Sequence, residues 1–360
     1  MSRVFNFSAG PAALPLPVLE RAAAEMVEYG TAGMSVMEMS HRGKAYQEIF
    51  VRTKQAVIDL LGVPGDYEVL FLQGGATAQF AMVPMNLLGE GGKADYVNTG
   101  VWSRKAIAEA RKFGTVNVAA SSESTGFNRI PDQAELELDA DAAYCHITTN
   151  NTIFGTEYPY TPDTGDVPLV ADASSNILSR PMDVARYGLI YAGAQKNLGP
   201  SGVTLVVIRK DLVGRARGAV PTIFDYQIHA DADSMYNTPP TYAIYILGLV
   251  CDWLREQGGV AGIEEVNIRK ARKLYDCVDA SDFYTCPTEP ASRSRMNVPF
   301  TLATPDLDAT FLAETSAAGL VALKGHRLVG GMRASIYNAM PEAGVEALVA
   351  FLQEFERRHG

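Results

Sequence analysis

Two charged residues in apolar surroundings are the first candidates for chemistry. Lys196 ends the segment Tyr191-Ala-Gly-Ala-Gln-Lys196, and Asp172 ends the apolar run that begins at Val167. A lysine at the edge of a core can have a lowered pKa and act as a Schiff-base nucleophile. A carboxylate can keep a pyridinium nitrogen protonated while a lysine holds an aldehyde carbon, so this pair favours pyridoxal phosphate. The competing interpretation is a buried Asp–Lys ion pair without a ligand.

Further residues at predicted strand ends suit the same cofactor. Gly74-Gly75-Ala76-Thr77 follows one strand and opens a helix, where free N–H groups could hold a phosphate, although a plain turn has the same pattern. Trp102 could stack on a flat ring, or it could be an aromatic residue of the core or rim. Thr152 could hydrogen-bond a ring hydroxyl, or it could cap a loop.

Basic residues are scattered along the chain in small groups. The formal net charge is −10, so an anionic ligand must be met by a local cluster of cations. Arginine suits bidentate recognition of carboxylate or phosphate, and the candidates are His41, Arg42, His326, Arg327 and Arg333. We assign Arg104-Lys105 to the solvated face of a helix.

The elements that must position these residues alternate in type. Seven apolar segments are predicted strands: 67–72, 94–98, 116–119, 142–148, 169–172, 189–192 and 203–208. Helices are predicted at 17–29, 44–61, 76–88, 103–113, 239–257 and 260–278. The alternation predicts an α/β fold whose mainly parallel seven-stranded sheet is covered by helices on both faces, with ligands beyond the carboxyl ends of the strands.

The pattern of predicted elements changes after the two long helices. A strand at 296–302, a helix at 306–317, strands near Leu320 and Arg333, and a final helix at 341–358 predict a smaller α+β domain. We therefore expect a large cofactor-binding domain over 16–258. The small domain is expected to combine the N-terminal arm, 1–15, with 259–360.

Composition excludes several other classes of protein. The chain of 360 residues is 47% hydrophobic, as expected for a globular protein. We find no apolar run long enough for a bilayer and no signal peptide, which favours a cytoplasmic setting. The four cysteines and five histidines have no metal-ligand spacing, so no metal is expected. The negative charge argues against a nucleic-acid surface.

Six short motifs carry a family resemblance. They are Ser-Ala-Gly-Pro-Ala at 8–12, Ser-His-Arg-Gly-Lys at 40–44, Gly-Gly-Ala-Thr at 74–77, Ala-Asp-Ala-Ser-Ser at 171–175, Gly-Ala-Gln-Lys-Asn at 193–197 and Gly-His-Arg at 325–327. In this order, from residue 4 to the C-terminus, they resemble the phosphoserine aminotransferase family. Those enzymes are class V aminotransferases of PLP fold type I.

The resemblance implies a role for each matching residue. Lys196 would bind the cofactor covalently, Asp172 would pair with the pyridine nitrogen, and Trp102 would stack on the ring. Thr152 would face the ring hydroxyl. The phosphate would be held by Gly75, Ala76 and Gln195, together with Asn237 and Thr238 from a second subunit of an obligate homodimer with shared active sites. Arg333 would bind the substrate α-carboxylate. The substrate phosphate, or the distal carboxylate of glutamate, would be bound by His41, Arg42, His326 and Arg327.

The implied reaction is transamination between L-glutamate and 3-phosphohydroxypyruvate, which gives O-phospho-L-serine and 2-oxoglutarate. The family also implies 4-phosphohydroxy-L-threonine, a vitamin B6 precursor, as a further substrate. Alternatives within the fold are an alanine–glyoxylate or serine–pyruvate aminotransferase and a cysteine desulfurase, although no cysteine lies near residues 320–335. A nicotinamide-dependent α/β enzyme is a further alternative, but this chain has no GxGxxG motif after a predicted strand. A PLP-fold binding protein without catalysis would not need both Lys196 and Asp172.

Overall fold

The computed structural model describes residues 3–216 and 218–360, in which strands and helices alternate. The strands are β1 (Phe5–Asn6), β2 (Tyr67–Leu72), β3 (Lys93–Asn98), β4 (Thr115–Ser121), β5 (Cys145–Thr148), β6 (Asn150–Asn151), β7 (Thr156–Glu157), β8 (Leu169–Asp172), β9 (Leu189–Gly193), β10 (Thr204–Arg209), β11 (Tyr284–Thr285), β12 (Asn297–Leu302), β13 (Leu320–Val321) and β14 (Met332–Ser335). The α-helices are α1 (Leu16–Ala24), α2 (Lys44–Leu61), α3 (Gly75–Leu87), α4 (Val101–Ala110), α5 (Tyr226–Asp231), α6 (Thr241–Glu256), α7 (Gly259–Asp279), α8 (Asp308–Ala317) and α9 (Glu342–His359).

The central sheet has seven strands in the order β2-β10-β9-β8-β5-β3-β4. Strand β10 is antiparallel to both of its neighbours, and every other neighbouring pair is parallel. The predicted α/β fold with a mainly parallel seven-stranded sheet is therefore confirmed. Because the parallel strands point the same way, their carboxyl ends meet at one edge of the sheet.

Both faces of the sheet are covered, as the continuous apolar strands predicted. Side chains alternate between the faces, so Phe71 joins one core cluster while Leu70 joins the other. Helices α2 and α6 pack on the first face, whereas α3 and α4 contribute Phe80 and Ile107 to the second. This burial on two sides explains why the strands contain few polar residues.

The C-terminal part has its own apolar core. Strands β11, β12 and β14 form an antiparallel sheet beside α7 and α9, and β1 of the N-terminal arm runs parallel to β13. Phe7 of the arm belongs to this core. Helix α7 contributes Ile263 to the central core and Leu274 to the C-terminal one. The boundary between 258 and 259 stays a prediction, because α7 serves both cores.

Three local features differ from the prediction. Helix α1 ends at Ala24 rather than near Tyr29, since Val27 is 82% exposed and offers no apolar face to bury. Strand β5 begins at Cys145 rather than 142. The hairpin of β6 and β7 was not predicted, because its polar strands depend on tertiary hydrogen bonds such as that from Asn151 Nδ2 to Thr99 Oγ1, 3.1 Å.

Across the described ranges, none of the helices combines the length and apolar character needed to cross a bilayer. The cytoplasmic setting stays a prediction.

Candidate active site

The candidate site is a cavity of about 270 Å³ at the carboxyl edge of the central sheet. Strand register places Thr148 of β5 beside Asp172 of β8, and Asp172 beside Tyr191 of β9. Lys196 lies in the turn that follows β9. Nine of the predicted site residues line this cavity: Gly75, Ala76, Trp102, Thr152, Asp172, Gln195, Lys196, His326 and Arg333.

Lys196 is held as an amine with unusual acid–base properties. Its Nζ donates a hydrogen bond to Thr152 Oγ1 at 2.6 Å. Burial lowers the pKa of Lys196 to about 8, the negative charge of Asp172 opposes this shift, and the positive charge of Arg333 adds to it. A substantial fraction of such an amine is neutral near physiological pH, so it can act as a nucleophile and a base.

Asp172 is the buried carboxylate of the cavity. It is 5% exposed, and its Oδ1 accepts a hydrogen bond from Ser174 N–H at 3.0 Å. Burial raises the pKa of Asp172, while the Ser174 hydrogen bonds and the charge of Lys196 lower it. Although both residues are described and line one cavity, Asp172 and Lys196 form no ion pair with each other. The direct ion pair of the competing interpretation is therefore not formed, although the two charges still interact.

A glycine turn opens the N-terminus of α3 toward the cavity. Gly74 has φ +89° and Gly75 has φ +65°, in the left-handed region that favours glycine. A Cβ on Gly74 would lie 2.5 Å from Ala78 Cβ, so a side chain would clash there. No side chain caps this helix of 13 residues within the described chain, and its first N–H groups are free to bind a phosphate.

Trp102 forms one wall of the cavity from the first turn of α4. The centroid of its ring lies 5.8 Å from Lys196 Nζ, which suits stacking on a ring bound to that amine. Its Nε1 is buried and has no hydrogen-bond partner among the described residues. A buried donor without a partner indicates a ligand group or water that completes the site.

The C-terminal part contributes cations to the cavity lining. Arg333 Nη1 donates to Thr152 O at 3.3 Å, and its buried Nε has no partner in the described structure. Burial and the charges of Arg333, Arg327 and Lys105 lower the pKa of His326. Arg327 is exposed and does not line the cavity. These cations favour an anionic ligand.

Four predicted residues, His41, Arg42, Asn237 and Thr238, do not line the cavity within one chain. Gln47 Nε2 donates to His41 O at 2.6 Å and contacts Met235 Sδ at 3.1 Å. The two predicted segments therefore lie on the same side of the molecule. Asn237 and Thr238 are exposed to solvent.

The sequence analysis missed the contribution of the N-terminal arm to the cavity. Ala9 and Gly10 of the arm line the cavity, and a Cβ on Gly10 would lie 3.4 Å from Lys196 Cγ. The motif at 8–12 was the signal for this contact. Lys105 is exposed on α4, as predicted, and its Nζ lies 4.7 Å from the Trp102 ring centroid. Its spacing of three residues from Trp102 on a helix was the available signal.

These residues together fit pyridoxal phosphate. The cavity offers an amine of lowered pKa, a buried carboxylate, an aromatic wall and a helix N-terminus for a phosphate. The unpartnered Trp102 Nε1 and Arg333 Nε are consistent with a ligand that is polar at its edges.

Comparison with known proteins identifies close relatives. The family model for class-V aminotransferases matches residues 4–348. A phosphoserine aminotransferase of Nitrosomonas europaea is 59% identical over 367 residues, covering 100% of both chains. Among solved structures, the phosphoserine aminotransferase from Bacillus circulans subsp. alkalophilus superposes with a TM-score of 0.98 at 50% identity, covering 99% of both chains. The PLP-bound phosphoserine aminotransferase from Trichomonas vaginalis gives 0.93 at 41% identity, covering 98% of this chain and 100% of that one.

Proposed function

The chain belongs to the class-V aminotransferase family, and on that premise we propose that it transfers an amino group between L-glutamate and 3-phosphohydroxypyruvate. The products are 2-oxoglutarate and O-phospho-L-serine. The observation that carries this proposal is a single cavity in which Lys196, with its lowered pKa, lies between Asp172 and the cations of the C-terminal part. The full-length similarity to phosphoserine aminotransferases supports the choice of substrate.

Pyridoxal phosphate is the cofactor, and when bound it supplies an electron sink for the carbanion that forms at the substrate α-carbon. The Gly74–Gly75 turn and Gln195 would hold its phosphate, while Trp102 would cover one ring face. Asp172 would keep a proton at the ring nitrogen, because an ionised carboxylate in this buried place needs a cationic partner.

Lys196 performs the proton transfer at the substrate. Its neutral amine accepts the α-proton and returns a proton in the reverse direction, a role that suits a pKa near the working pH. Thr152 Oγ1 orients Nζ through the 2.6 Å hydrogen bond. Arg333, fixed to Thr152 O, would bind the α-carboxylate and place the α-proton within reach of the amine.

The distal end of the substrate needs a site that accepts a phosphate and a carboxylate in turn. In this proposal His326, which lines the cavity, and its exposed neighbour Arg327 supply part of that site from the loop between β13 and β14. We assign the rest to His41 and Arg42 of a second copy of the chain, with Asn237 and Thr238 of that copy at the cofactor phosphate. Support comes from the common location of the two segments outside their own cavity.

A half-reaction spectrum tests the function. Purified holoenzyme is mixed separately with O-phosphoserine, serine and alanine while the absorption spectrum of the bound cofactor is recorded. Conversion by O-phosphoserine at far lower concentrations than the other two supports the proposal. Equal or better conversion by serine or alanine would instead indicate a small-substrate aminotransferase. 4-Phosphohydroxy-L-threonine carries the same phosphate and amino-acid groups as O-phosphoserine. We therefore propose it as a second substrate.

A further inference from the structure

One face of α4 carries a cation that the reaction described above does not use. Lys105 lies one helical turn after Trp102, and its Nζ is 4.7 Å from the centroid of the indole ring. Lys105 is exposed and makes no ion pair with any residue in 3–216 or 218–360. Its neighbour Arg104 differs, since it pairs with Glu123 at 3.2 Å and lies over Phe127 at 5.3 Å.

The position of Lys105 brings its charge to the cavity rim. Trp102, His326 and Arg333 all line the cavity, and Lys105 contacts the first of them. Lys105 is also one of three cations whose charges lower the pKa of His326, beside Arg333 and Arg327. Its positive charge therefore raises the electrostatic potential at His326, where the distal end of the substrate would lie.

We propose that Lys105 is a specificity-determining residue whose charge favours substrates with a dianionic distal phosphate over those with a monoanionic carboxylate. The proposal rests on the proposed function and deepens it. Lys105 acts through its charge alone and carries no proton in the reaction. The electrostatic free energy is proportional to the charge of the ligand, so the benefit to a dianion is about twice that to a monoanion. Expressed as fold-changes, the effect on phosphate is about the square of the effect on carboxylate.

The test compares Lys105→Gln with Arg104→Gln as a matched neighbour and Lys105→Arg as a charge-conserving variant. Half-reactions with O-phosphoserine and with L-glutamate are followed at low and at raised salt. We expect Lys105→Gln to reduce kcat/KM for O-phosphoserine about fourfold and for glutamate about twofold, through KM, with the difference fading as salt screens the charge. Lys105→Arg should restore both values, and Arg104→Gln should leave them unchanged.

Three outcomes would overturn the role of Lys105. Equal losses for the two substrates, or a loss confined to the limiting rate, would mean that Lys105 only supports the Trp102 ring. An unchanged kcat/KM for O-phosphoserine would mean that its charge does not reach the substrate. Failure of the proposed function is distinguishable, because the unmodified enzyme would then show no preference for O-phosphoserine over serine.

Discussion

At the scale of single residues, the chemistry depends on how Lys196 is surrounded. Burial lowers its pKa, and the hydroxyl of Thr152 rather than a carboxylate holds its Nζ. Asp172 contributes its charge through space without forming an ion pair. A direct ion pair would stabilise the ammonium form and remove the nucleophile. Burial therefore leaves the amine reactive, and the absence of a direct ion pair with Asp172 preserves this effect.

Replacing this amine should stop the reaction. We expect Lys196→Ala to reduce turnover by about ten-thousandfold or more, because it removes both the covalent link and the base. The cofactor should still bind through Asp172, Trp102 and the glycine turn, as its absorption after gel filtration would show. Lys210→Ala, at an exposed lysine that donates to Gly65 O, is the control and should keep full activity. Near-wild-type turnover in Lys196→Ala would contradict the assignment.

The lowered pKa of Lys196 predicts how apoenzyme captures pyridoxal phosphate. Only the neutral amine attacks the aldehyde, so the capture rate should rise with pH and then level off. The midpoint of this rise should lie at about 8 rather than at the ordinary lysine value of 10.5. Removing the charge of Arg333 in Arg333→Gln should raise the midpoint, because that charge lowers the pKa of Lys196. Stopped-flow absorbance measures the rate. A midpoint near 10.5 in the unmodified chain would show that burial does not act as inferred.

At the scale of elements, a hairpin and a helix place the site residues. The turn between β6 and β7 carries Thr152, and Gly155 of that turn packs against Pro299 of β12. Helix α7 carries the buried residue Lys270. The Nζ of Lys270 lies within hydrogen-bond distance of four backbone carbonyls, at 2.9 Å from Ile336, 2.7 Å from Tyr337, 3.4 Å from Asn338 and 3.0 Å from Met340, and its three N–H groups are shared among them.

The turn between β6 and β7 predicts a large loss of stability when one methyl group is added at Gly155. Gly155 has φ +68°, and a Cβ there would lie 2.3 Å from Pro299 Cδ, so we expect Gly155→Ala to lower the free energy of unfolding by about 2–4 kcal/mol. Gly165, with φ +59° and open space around its Cβ position, is the matched control. Gly165→Ala should cost only about 1 kcal/mol. Urea unfolding compares them, and equal costs would refute the packing argument.

Lys270 predicts a second effect on stability. We expect Lys270→Met to lower the free energy of unfolding by about 2–4 kcal/mol, because the carbonyls it holds would lose their donor in a buried place. The side chain of Lys273 on the same helix is 40% exposed and pairs with Glu346 at the surface, so Lys273→Met should keep a free energy of unfolding near that of the wild type. Thermal unfolding followed by circular dichroism provides the comparison. Similar stability of Lys270→Met and Lys273→Met would show that water replaces Lys270 as the hydrogen-bond donor to these carbonyls.

At the scale of the whole molecule, the two cores are joined around the cavity. Asn338, in the loop that Lys270 holds, accepts from Asn267 Nδ2 and donates its backbone N–H to Asn197 Oδ1 at 3.0 Å. Asn197 follows Lys196 directly, so the C-terminal core is tied to the segment of the reactive lysine. The cavity is closed from a third side by the N-terminal arm, where Ala12 N–H donates to Gln195 O at 2.8 Å.

A shared active site predicts complementation between two defective chains. Lys196→Ala lacks the amine, whereas the double variant Asn237→Ala, Thr238→Ala lacks the segment that we assign to the neighbouring site. Random mixing of unfolded chains followed by refolding should give about a quarter of wild-type activity, since half of the dimers are mixed and each has one intact site. Each variant refolded alone is the control. No recovery in the mixture, despite dimers by light scattering, would contradict shared sites.

The amino-acid sequence by itself determined the architecture and the two central residues. Continuous apolar segments such as 169–172 and 203–208 predict buried strands, because side chains on both faces of a covered sheet must be apolar. The same local signal placed Asp172 and Lys196 at strand ends, where a charge stands out against its neighbours. The family motifs then assigned the remaining roles.

Only the tertiary structure decided which groups meet. Thr152 reaches Lys196 and Arg333 through a hairpin whose polar strands have no hydrophobic period. Thr152 is separated from Lys196 and Arg333 by long stretches of chain, so the geometry of these contacts depends on packing and burial rather than on local preference. The pKa of Lys196 is lowered for the same reason, because desolvation is a property of the folded cavity.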